Sequence, residues 1–432
     1  MFKKILVALV ILLGLYLRLY KIDNPVADWH SFRQADTASV TREFVKKGVN
    51  LMVPTYQDHS NIQSGKDNPH GYRMVEFPIY NLLHYSLYQL NPSMGLDLAG
   101  RITSVLLSLI AILFIFLIGD KLSGFFAGWL AALFYAVLPF SLYYSRVILP
   151  EPLMIATLLG SYWYLIKMSE SYGWKKTTYL MVSSALLAVS VLVKPFALFF
   201  ALPHFAIVFR SLAKREISLI GFVSYLVLAS APFILWRQHI LLYPEGIPAS
   251  DWLINSTGIR FRPAWFRWLF GERIGKLILG SYGTIFLCLG LIAKPNKEGF
   301  SYWLWTLGIL LYFSVIAGGN VQHDYYQAII LPFLCFILAK GALLLMSLSR
   351  TVYSRLLTLI MALGIFVTML SLSWYEIKGY YQVNNWPIVK AGQAVNRLVS
   401  ENSLIIAPYN GDTAFLYQTN RSGWPLGYDI ED

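Results

Sequence analysis

Two neighbouring stretches near the start of the chain decide its fold. Residues 1–20, MFKKILVALVILLGLYLRLY, are almost entirely apolar, whereas residues 28–48, DWHSFRQADTASVTREFVKKG, hold three acidic residues, four basic residues and a histidine. About 20 apolar residues cross the roughly 30 Å of hydrocarbon in a bilayer. No small-residue cleavage site follows the first stretch, so we expect an uncleaved first span with its N-terminus inside. The second stretch then lies at the outer membrane border.

The composition of the whole chain is that of a polytopic membrane protein. Of its 432 residues, 56% are hydrophobic and 13% are charged, and the mean hydropathy is +0.54. A soluble domain of this length is less apolar. The net charge of +12 comes from short Lys/Arg clusters between apolar runs, where they set membrane orientation. Membrane lipids are therefore the expected surroundings, and no nucleic-acid partner is expected.

Apolar runs long enough to span a membrane recur along the chain, and we count about eleven of them. With the N-terminus inside, the inner connections hold most of the bases, as in KMSESYGWKK (167–176) and RSLAKRE (210–216), which supports the count. The two cysteines fall inside these runs, which argues against a disulfide framework. The predicted spans are residues 4–20, 98–118, 124–144, 152–168, 177–193, 195–210, 217–236, 275–293, 301–317, 326–346 and 356–374.

Three segments are predicted to lie outside the membrane. Residues 21–96 form a large first outer loop, and residues 237–273 form a second long one. After a transmembrane module of residues 1–374, the chain ends outside with residues 375–432, a small α/β segment with a helix and a strand. The predicted fold class is thus an all-α polytopic membrane protein with a small α/β outer segment. So short a tail buries little core by itself.

The charged stretch after the first span is predicted to form a helix. Ser31 and Gln34 fit a capping box, and Gly48 fits a helix stop after Lys47. Its apolar residues form only a broken stripe, which is typical of a helix lying at the membrane surface. Asp36 falls in an early turn, where the helix dipole favours the ionised carboxylate. A solvated interfacial helix without a further role is the simpler alternative.

Other polar side chains recur at the same outer border. Glu76 ends the first loop in YRMVEFPIY, and Glu151 opens a span in SRVILPEPLM. Ionisable groups at such depth cost free energy and mark functional cavities by default. The simpler alternatives are an acidic first turn for Glu151, a snorkelling ammonium for Lys194, and an interfacial aromatic belt for His323 and Tyr325.

In their order along the chain, these motifs resemble those of the GT-C superfamily of glycosyltransferases, which includes protein O-mannosyltransferases and aminoarabinose transferases that use polyprenyl-phosphate sugars. The resemblance covers roughly residues 1–350. It rests on one span, the helix HSFRQADTASVTREFVKKG, the loop end EFPIY, the signature SRVILPEPLM and the late HDYYQAIILPF. It implies a GT-C architecture with an outward-facing cavity at the cell (inner) membrane. There, a lipid-linked sugar phosphate would meet a protein, glycolipid or polysaccharide acceptor.

The resemblance also implies roles for individual residues. An acidic residue of the first outer loop acts in the family, and Asp36 is the nearest match, with Asp28 and Glu76 as alternatives. An inverting displacement needs one carboxylate as general base and cations near the leaving phosphate. We expect Asp36 to be the base and Glu151 to orient the acceptor or hold a metal. The expected substrate-binding residues are His30, Arg33, Gln34, Glu76, Arg146, Lys194, His323 and Tyr325.

Three questions stay open at this point. A divalent metal is an option, with Asp36, Glu151 and His323 as its ligands, although no dedicated ligand spacing is present. A secondary transporter or lipid flippase would use the same outer-face polar residues, but transporters commonly carry charges at the bilayer midplane, and here the middle of the spans is nearly free of charge. A non-catalytic scaffold is disfavoured by Glu151 and Lys194.

Overall fold

The computed structural model of the chain describes residues 2–295, 299–348 and 351–427. The last residues of the predicted outer segment, 428–432, lie outside that part. In chain order the α-helices are α1 (Phe2–Arg18), α2 (Ser31–Lys47), α3 (Ile79–Leu90), α4 (Leu96–Ser123), α5 (Phe125–Val137), α6 (Pro139–Tyr144), α7 (Glu151–Ser169), α8 (Gly173–Val193), α9 (Ala197–Phe200), α10 (Leu202–Ala213), α11 (Leu219–Ile240), α12 (Asp251–Ile254), α13 (Pro263–Phe266), α14 (Thr284–Ile292), α15 (Ser301–Val315), α16 (Ala317–Gln322), α17 (Leu331–Ser347), α18 (Val352–Ile377), α19 (Trp386–Leu398) and α20 (Thr413–Gln418).

Among the described residues, five helical stretches are long and apolar enough to cross a membrane. Each predicted apolar run contains helix, so the chain is an integral membrane protein of mostly helical structure. The exact number of eleven spans stays a prediction. The five stretches are Leu96–Ser123, Gly173–Val193, Leu219–Ile240, Asp324–Ser347 and Val352–Leu398.

Three of the predicted spans are interrupted in the structure. In the run at 275–293, residues 279–283 separate a π-helix (Arg267–Ile278) from α14. The run at 124–144 divides into α5 and α6 at Leu138, whose backbone is extended (φ −59°, ψ 122°) because it precedes Pro139. The run at 195–210 divides into α9 and α10 at Ala201, and Pro203 lies in the first turn of α10. Since proline donates no backbone N–H, it begins these second helices but does not continue the first ones.

The apolar helices pack around α4, α5, α7, α8 and α17, which contact one another in pairs. Arg18, at the end of α1, is fully buried among them. It donates hydrogen bonds to Ser145 Oγ (2.7 Å) and to the Ala136 carbonyl (3.1 Å). A buried guanidinium needs such partners. The contacts therefore join α1 to the end of α5 and to the first residue of the SRVILPEPLM segment.

The structure has the predicted helix α2 but differs in its start and its surroundings. The helix ends as expected, since Gly48 has φ +89° and donates to the Phe44 carbonyl. The predicted capping box is wrong, because Gln34 donates to Asp28 Oδ1 at 2.6 Å instead. Most of α2 is buried rather than solvated. Helices α3, α4 and α20 cover it, which the sequence of α2 does not indicate.

The C-terminal segment docks on the first outer loop. Strands β1 (Ile405–Pro408) and β2 (Gly423–Leu426) pair in parallel, and Gly423 also bridges to Asp58 of the loop. Arg42 of α2 donates to the Tyr417 carbonyl at 2.8 Å, and its guanidinium lies 3.7 Å from the centroid of the same tyrosine ring. Because the tail is too small to bury its own core, it is stabilised by packing on α2.

Candidate active site

Glu151 is the first residue of α7, and it is buried with only 1% of its surface exposed. Its Oε1 lies 3.3 Å from the ammonium Nζ of Lys194, which directly follows α8. Its second oxygen, Oε2, has no hydrogen-bond partner in the described part of the chain. A buried carboxylate oxygen without a partner is costly, so it marks a place where a ligand's hydroxyl or N–H would be stabilised.

Glu76 joins two cations that come from distant parts of the chain. The same oxygen, Oε1, contacts the Arg33 guanidinium of α2 and lies 2.8 Å from Lys194 Nζ. Burial alone would raise the pKa of the Glu76 carboxyl, but the charges of Arg33 and Lys194 outweigh it and lower the pKa to about 2. Glu76 therefore stays ionised throughout the neutral range.

Asp36 lies one turn after Arg33 on α2, and its carboxylate is already engaged. Arg73 Nη2 is 2.9 Å from its Oδ2, and Gln63 Nε2 donates to the same oxygen at 3.0 Å. Thr413 of the C-terminal segment donates to Oδ1 at 2.7 Å. The tail thus completes the shell around Asp36. The role of Thr413 was missed because nothing in the sequence indicates where the tail docks.

These side chains form one cluster, which we call the ion cluster. A small cavity of about 20 Å³, enough for about one water molecule, borders it, with Arg33, Asp36 and Glu76 in its walls. Its charges balance, since three cations face three carboxylates. Its members are Arg33, Arg73, Lys194, Asp36, Glu76 and Glu151.

A second polar group surrounds Asp324, an acid of the HDYYQAIILPF stretch that is not among the predicted site residues. His30 Nε2 lies 2.6 Å from Asp324 Oδ1. Tyr144 and Tyr380 donate their hydroxyls to the same carboxylate, and the Trp29 indole N–H approaches it at 3.3 Å. The reasoning applied to Glu151, that an acid entering an apolar span marks a site, would have found Asp324.

Two further predicted residues lie beside this group. The ring of Tyr325 is 5.1 Å from that of His30 and stacks on His323 at 5.4 Å between centroids. Burial, with a contribution from the charge of His30, lowers the pKa of His323 to about 4. His323 is therefore neutral at pH 7 and contributes no positive charge toward a phosphate.

Two more predicted residues, Gln34 and Arg146, also lie apart from the ion cluster. Gln34 donates to Asp28, and Arg146 Nη2 lies 3.4 Å from Asp28 Oδ2. Arg101 pairs with the same oxygen at 3.2 Å. Both residues that were expected to contact substrate therefore form the buried environment of Asp28, and in this arrangement neither faces the cavity beside Glu76.

The expected metal ligands do not gather. In residues 2–295, 299–348 and 351–427, no three His, Cys, Asp or Glu side chains lie close enough together to hold a metal ion. Asp36 pairs with Arg73 and Glu151 pairs with Lys194, whereas His323 stacks on Tyr325. These residues do not fit a divalent ion in their present arrangement, so no step is assigned to one.

Comparisons with known proteins agree with this architecture. The model of a family described as dolichyl-phosphate-mannose-protein mannosyltransferase matches residues 91–236. No curated protein sequence matches the chain. ArnT from Cupriavidus metallidurans bound to undecaprenyl phosphate is similar in structure with a TM-score of 0.65, at 14% identity over 98% of this chain and 86% of that chain.

Oligosaccharyltransferases of Archaeoglobus fulgidus are also similar in structure. AglB in complex with an inhibitory peptide and a dolichol-phosphate has a TM-score of 0.60, at 10% identity over 98% of this chain and 64% of that chain. The enzyme in complex with Zn and sulfate has the same TM-score, at 11% identity over 97% of this chain and 62% of that chain. None of these comparisons favours a transporter or flippase. The chain therefore shares its fold with ArnT and with the archaeal oligosaccharyltransferases, and the family model that matches residues 91–236 describes glycosyltransferases.

Proposed function

We propose that the chain transfers a sugar from a polyprenyl-phosphate donor to a hydroxyl acceptor at the outer face of the cell (inner) membrane. The observation that carries the proposal is the contact of two buried cations, Arg33 and Lys194, with one carboxylate, Glu76, beside a cavity that Asp36 also lines. The similar fold of ArnT bound to undecaprenyl phosphate supports a donor of that class.

The leaving phosphate is the group that needs the cations. As the bond between the anomeric carbon and the phosphate oxygen breaks, negative charge collects on polyprenyl phosphate. Arg33 offers two parallel N–H donors and Lys194 a compact charge. Both are positioned before the reaction, so they stabilise the developing charge without a large rearrangement. The proposal requires the donor phosphate to displace Glu76 from at least one of them.

The acceptor must lose a proton as it attacks. Its hydroxyl oxygen forms a bond to the anomeric carbon on the face opposite the phosphate, and the proton passes to a carboxylate within hydrogen-bond reach. We assign this role to Asp36, whose orientation is fixed by Arg73 and Thr413. Glu151, with one oxygen free of hydrogen bonds, would orient the acceptor hydroxyl.

The placement of the basic residues supports an outward-facing site. Lys/Arg clusters between the apolar runs favour the inner side by the positive-inside rule. The first outer loop and residues 237–273 then lie on the opposite side, together with the C-terminal segment. With this orientation the ion cluster would lie at the outer leaflet, where a lipid-linked donor would meet an extracytoplasmic acceptor.

The experiment is sugar transfer by the purified full-length chain in lipid nanodiscs. Radiolabelled undecaprenyl-phosphate sugars are incubated with membrane extracts as acceptors, and the rates of Asp36→Asn, Glu151→Gln and the wild type are compared. A general base contributes about 10²- to 10⁴-fold, so Asp36→Asn is expected to lose at least about 100-fold in kcat. Full activity in both variants would remove the assignment, and transfer from no donor would refute the proposed function.

A further inference from the structure

A second, more open cavity lies between the start of α2 and the C-terminal segment. Its volume is about 440 Å³, within the usual range of about 300–1,000 Å³ for small-molecule sites. Residues 27–32 form one wall, and residues 382–385 with Tyr409 and Asp412 form the other. The ion cluster does not use this cavity, which exists only because the tail docks on the first outer loop.

His30 lines this cavity with one ring nitrogen already engaged. Its Nε2 lies 2.6 Å from Asp324 Oδ1, and an ionised carboxylate only accepts, so Nε2 carries a proton. The other ring nitrogen, Nδ1, accepts a hydrogen bond when the ring is neutral and donates one when the ring is protonated. His30 also has φ +54°, a costly conformation outside glycine that tends to be kept at functional positions.

Asp412 supplies a carboxylate on the opposite wall. Its Oδ1 accepts from the backbone N–H of Ala414 at 2.7 Å and thereby caps α20. In the part of the chain that the structure describes, no hydrogen bond is made by Oδ2. A carboxylate and an imidazole in the lining of one cavity favour a ligand with hydroxyl groups, which both donate and accept, and the carboxylate disfavours an anion.

Aromatic side chains complete the lining. Trp29 is 36% exposed and stacks on Tyr380 with 4.9 Å between ring centroids. The Tyr409 hydroxyl accepts from Asn385 Nδ2 at 2.7 Å, which leaves its own O–H available as a donor. Flat apolar faces beside a few hydrogen-bonding groups suit a pyranose ring, whose C–H faces are apolar and whose edges carry hydroxyls.

The cavity lies next to the proposed transfer site. Phe32 lines it, whereas Arg33, the next residue of α2, lines the cavity of the ion cluster. We propose that the cavity between residues 27–32 and the C-terminal segment binds a neutral, hydroxyl-bearing sugar of the acceptor. The inference rests on the proposed function and names its acceptor class as carbohydrate.

The test is direct binding by the full-length protein in nanodiscs, with no donor present. Saturation-transfer NMR is recorded with methyl β-D-glucopyranoside and with glucose 6-phosphate, and undecaprenyl phosphate binding is measured separately. The wild type is expected to bind the neutral glycoside at least about tenfold more tightly than the phosphate. Asp412→Asn preserves the helix cap. Asp412→Asn and Tyr409→Ala are made as separate variants, and each is expected to weaken glycoside binding about tenfold. Undecaprenyl phosphate binding stays unchanged in both.

Tyr353→Ala, at a tyrosine that is 88% exposed elsewhere on the chain, serves as the matched control and is expected to bind like the wild type. Absence of binding to the neutral glycoside overturns the inference. The inference is also overturned if both cavity variants bind the glycoside as tightly as the wild type. It is overturned as well if the wild type prefers glucose 6-phosphate, or a serine-containing peptide recorded as a third ligand. Because no donor is used, these outcomes are separate from a failed transfer assay, which refutes the proposed function itself.

Discussion

Lys194 Nζ lies 2.8 Å from Glu76 Oε1, so the cation after α8 is neutralised by an acid of the first outer loop. Arg33 contacts the same oxygen. In this state the carboxylate holds the position in which a phosphate would be stabilised. Under the proposed mechanism, donor binding exchanges one anion for another, and its strength is expected to depend on the charge of Glu76.

Replacing Glu76 with Gln removes the competing anion while keeping the side-chain shape. The variant is expected to bind undecaprenyl phosphate about tenfold more tightly, or about 1.4 kcal/mol, because Arg33 and Lys194 gain net positive charge. Its melting temperature is expected to fall, since a buried cation loses its partner. Affinity is measured by titration of labelled undecaprenyl phosphate into nanodisc-embedded protein.

Glu43→Gln is the matched control for that experiment. Glu43 is also a buried acid of an ion pair, with Lys47 at 2.7 Å, but it lies outside the ion cluster. Its loss is expected to leave phosphate affinity unchanged. Equal affinities of the Glu76 variant and the wild type would show that the cations are not the phosphate site.

The resemblance implied one site for all the predicted residues, and of these Arg33, Glu76, Glu151 and Lys194 are linked by ion pairs, whereas Gln34 and Arg146 contact Asp28. It did not predict their partners. Gln34 fits a capping box by spacing, yet Asp28 lies close enough to accept its amide. The spacing of residues along one helix predicts contacts within that helix only. A buried acid such as Asp28 accepts hydrogen bonds from any donor that the fold brings near it.

The contribution of the tail was the least predictable part. Its helix and first strand follow from local patterns, and the structure has both. The hydrogen bond from Thr413 to Asp36 joins residues far apart in sequence. No periodicity in either segment encodes that contact. For the same reason, the apolar stripe of α2 alone predicts less burial of this helix than the structure shows.

Asp324→Asn tests the polar group around His30. The variant replaces a charged acceptor of several donors with a neutral amide, and hydrogen bonds to charged groups contribute about 1.5–3 kcal/mol each. For Asp324→Asn we expect the free energy of unfolding to fall by about 2–3 kcal/mol. Tyr380→Phe removes a single donor, and its free energy of unfolding is expected to fall by about 1 kcal/mol. Thermal unfolding measures both. Asp120→Asn, at an exposed acid, is the control, and an equal loss there would contradict the assignment.

Gly392→Ala tests whether the docked tail supports the site. A Cβ at Gly392 of α19 would lie 2.4 Å from the backbone of Gln418, so α19 and α20 must separate. Overpacking of this kind costs about 1–3 kcal/mol, and slower sugar transfer is expected as Thr413 shifts from Asp36. Limited proteolysis of the tail and transfer rates measure the effect. Gly379→Ala has no atom within 4 Å of its added Cβ and is expected to behave like the wild type.

Asp58 gives the stability of the outer region a pH dependence. Burial raises the pKa of its carboxyl from 3.8 to about 6, against the hydrogen bonds from Ser60 that favour the ionised form. Because the folded-state pKa is the higher one, the protonated acid stabilises the fold below about pH 4, and this contribution is lost as the pH rises to about 6. Asp58→Asn, which cannot ionise, is therefore expected to be more stable than the wild type at pH 7 by up to about 3 kcal/mol. The advantage is expected to disappear near pH 4.

Melting temperatures of the wild type and of Asp58→Asn between pH 4 and 7 measure this difference in stability, with Asp67→Asn, at an exposed acid, as a control. A difference that does not change with pH would contradict the shifted pKa.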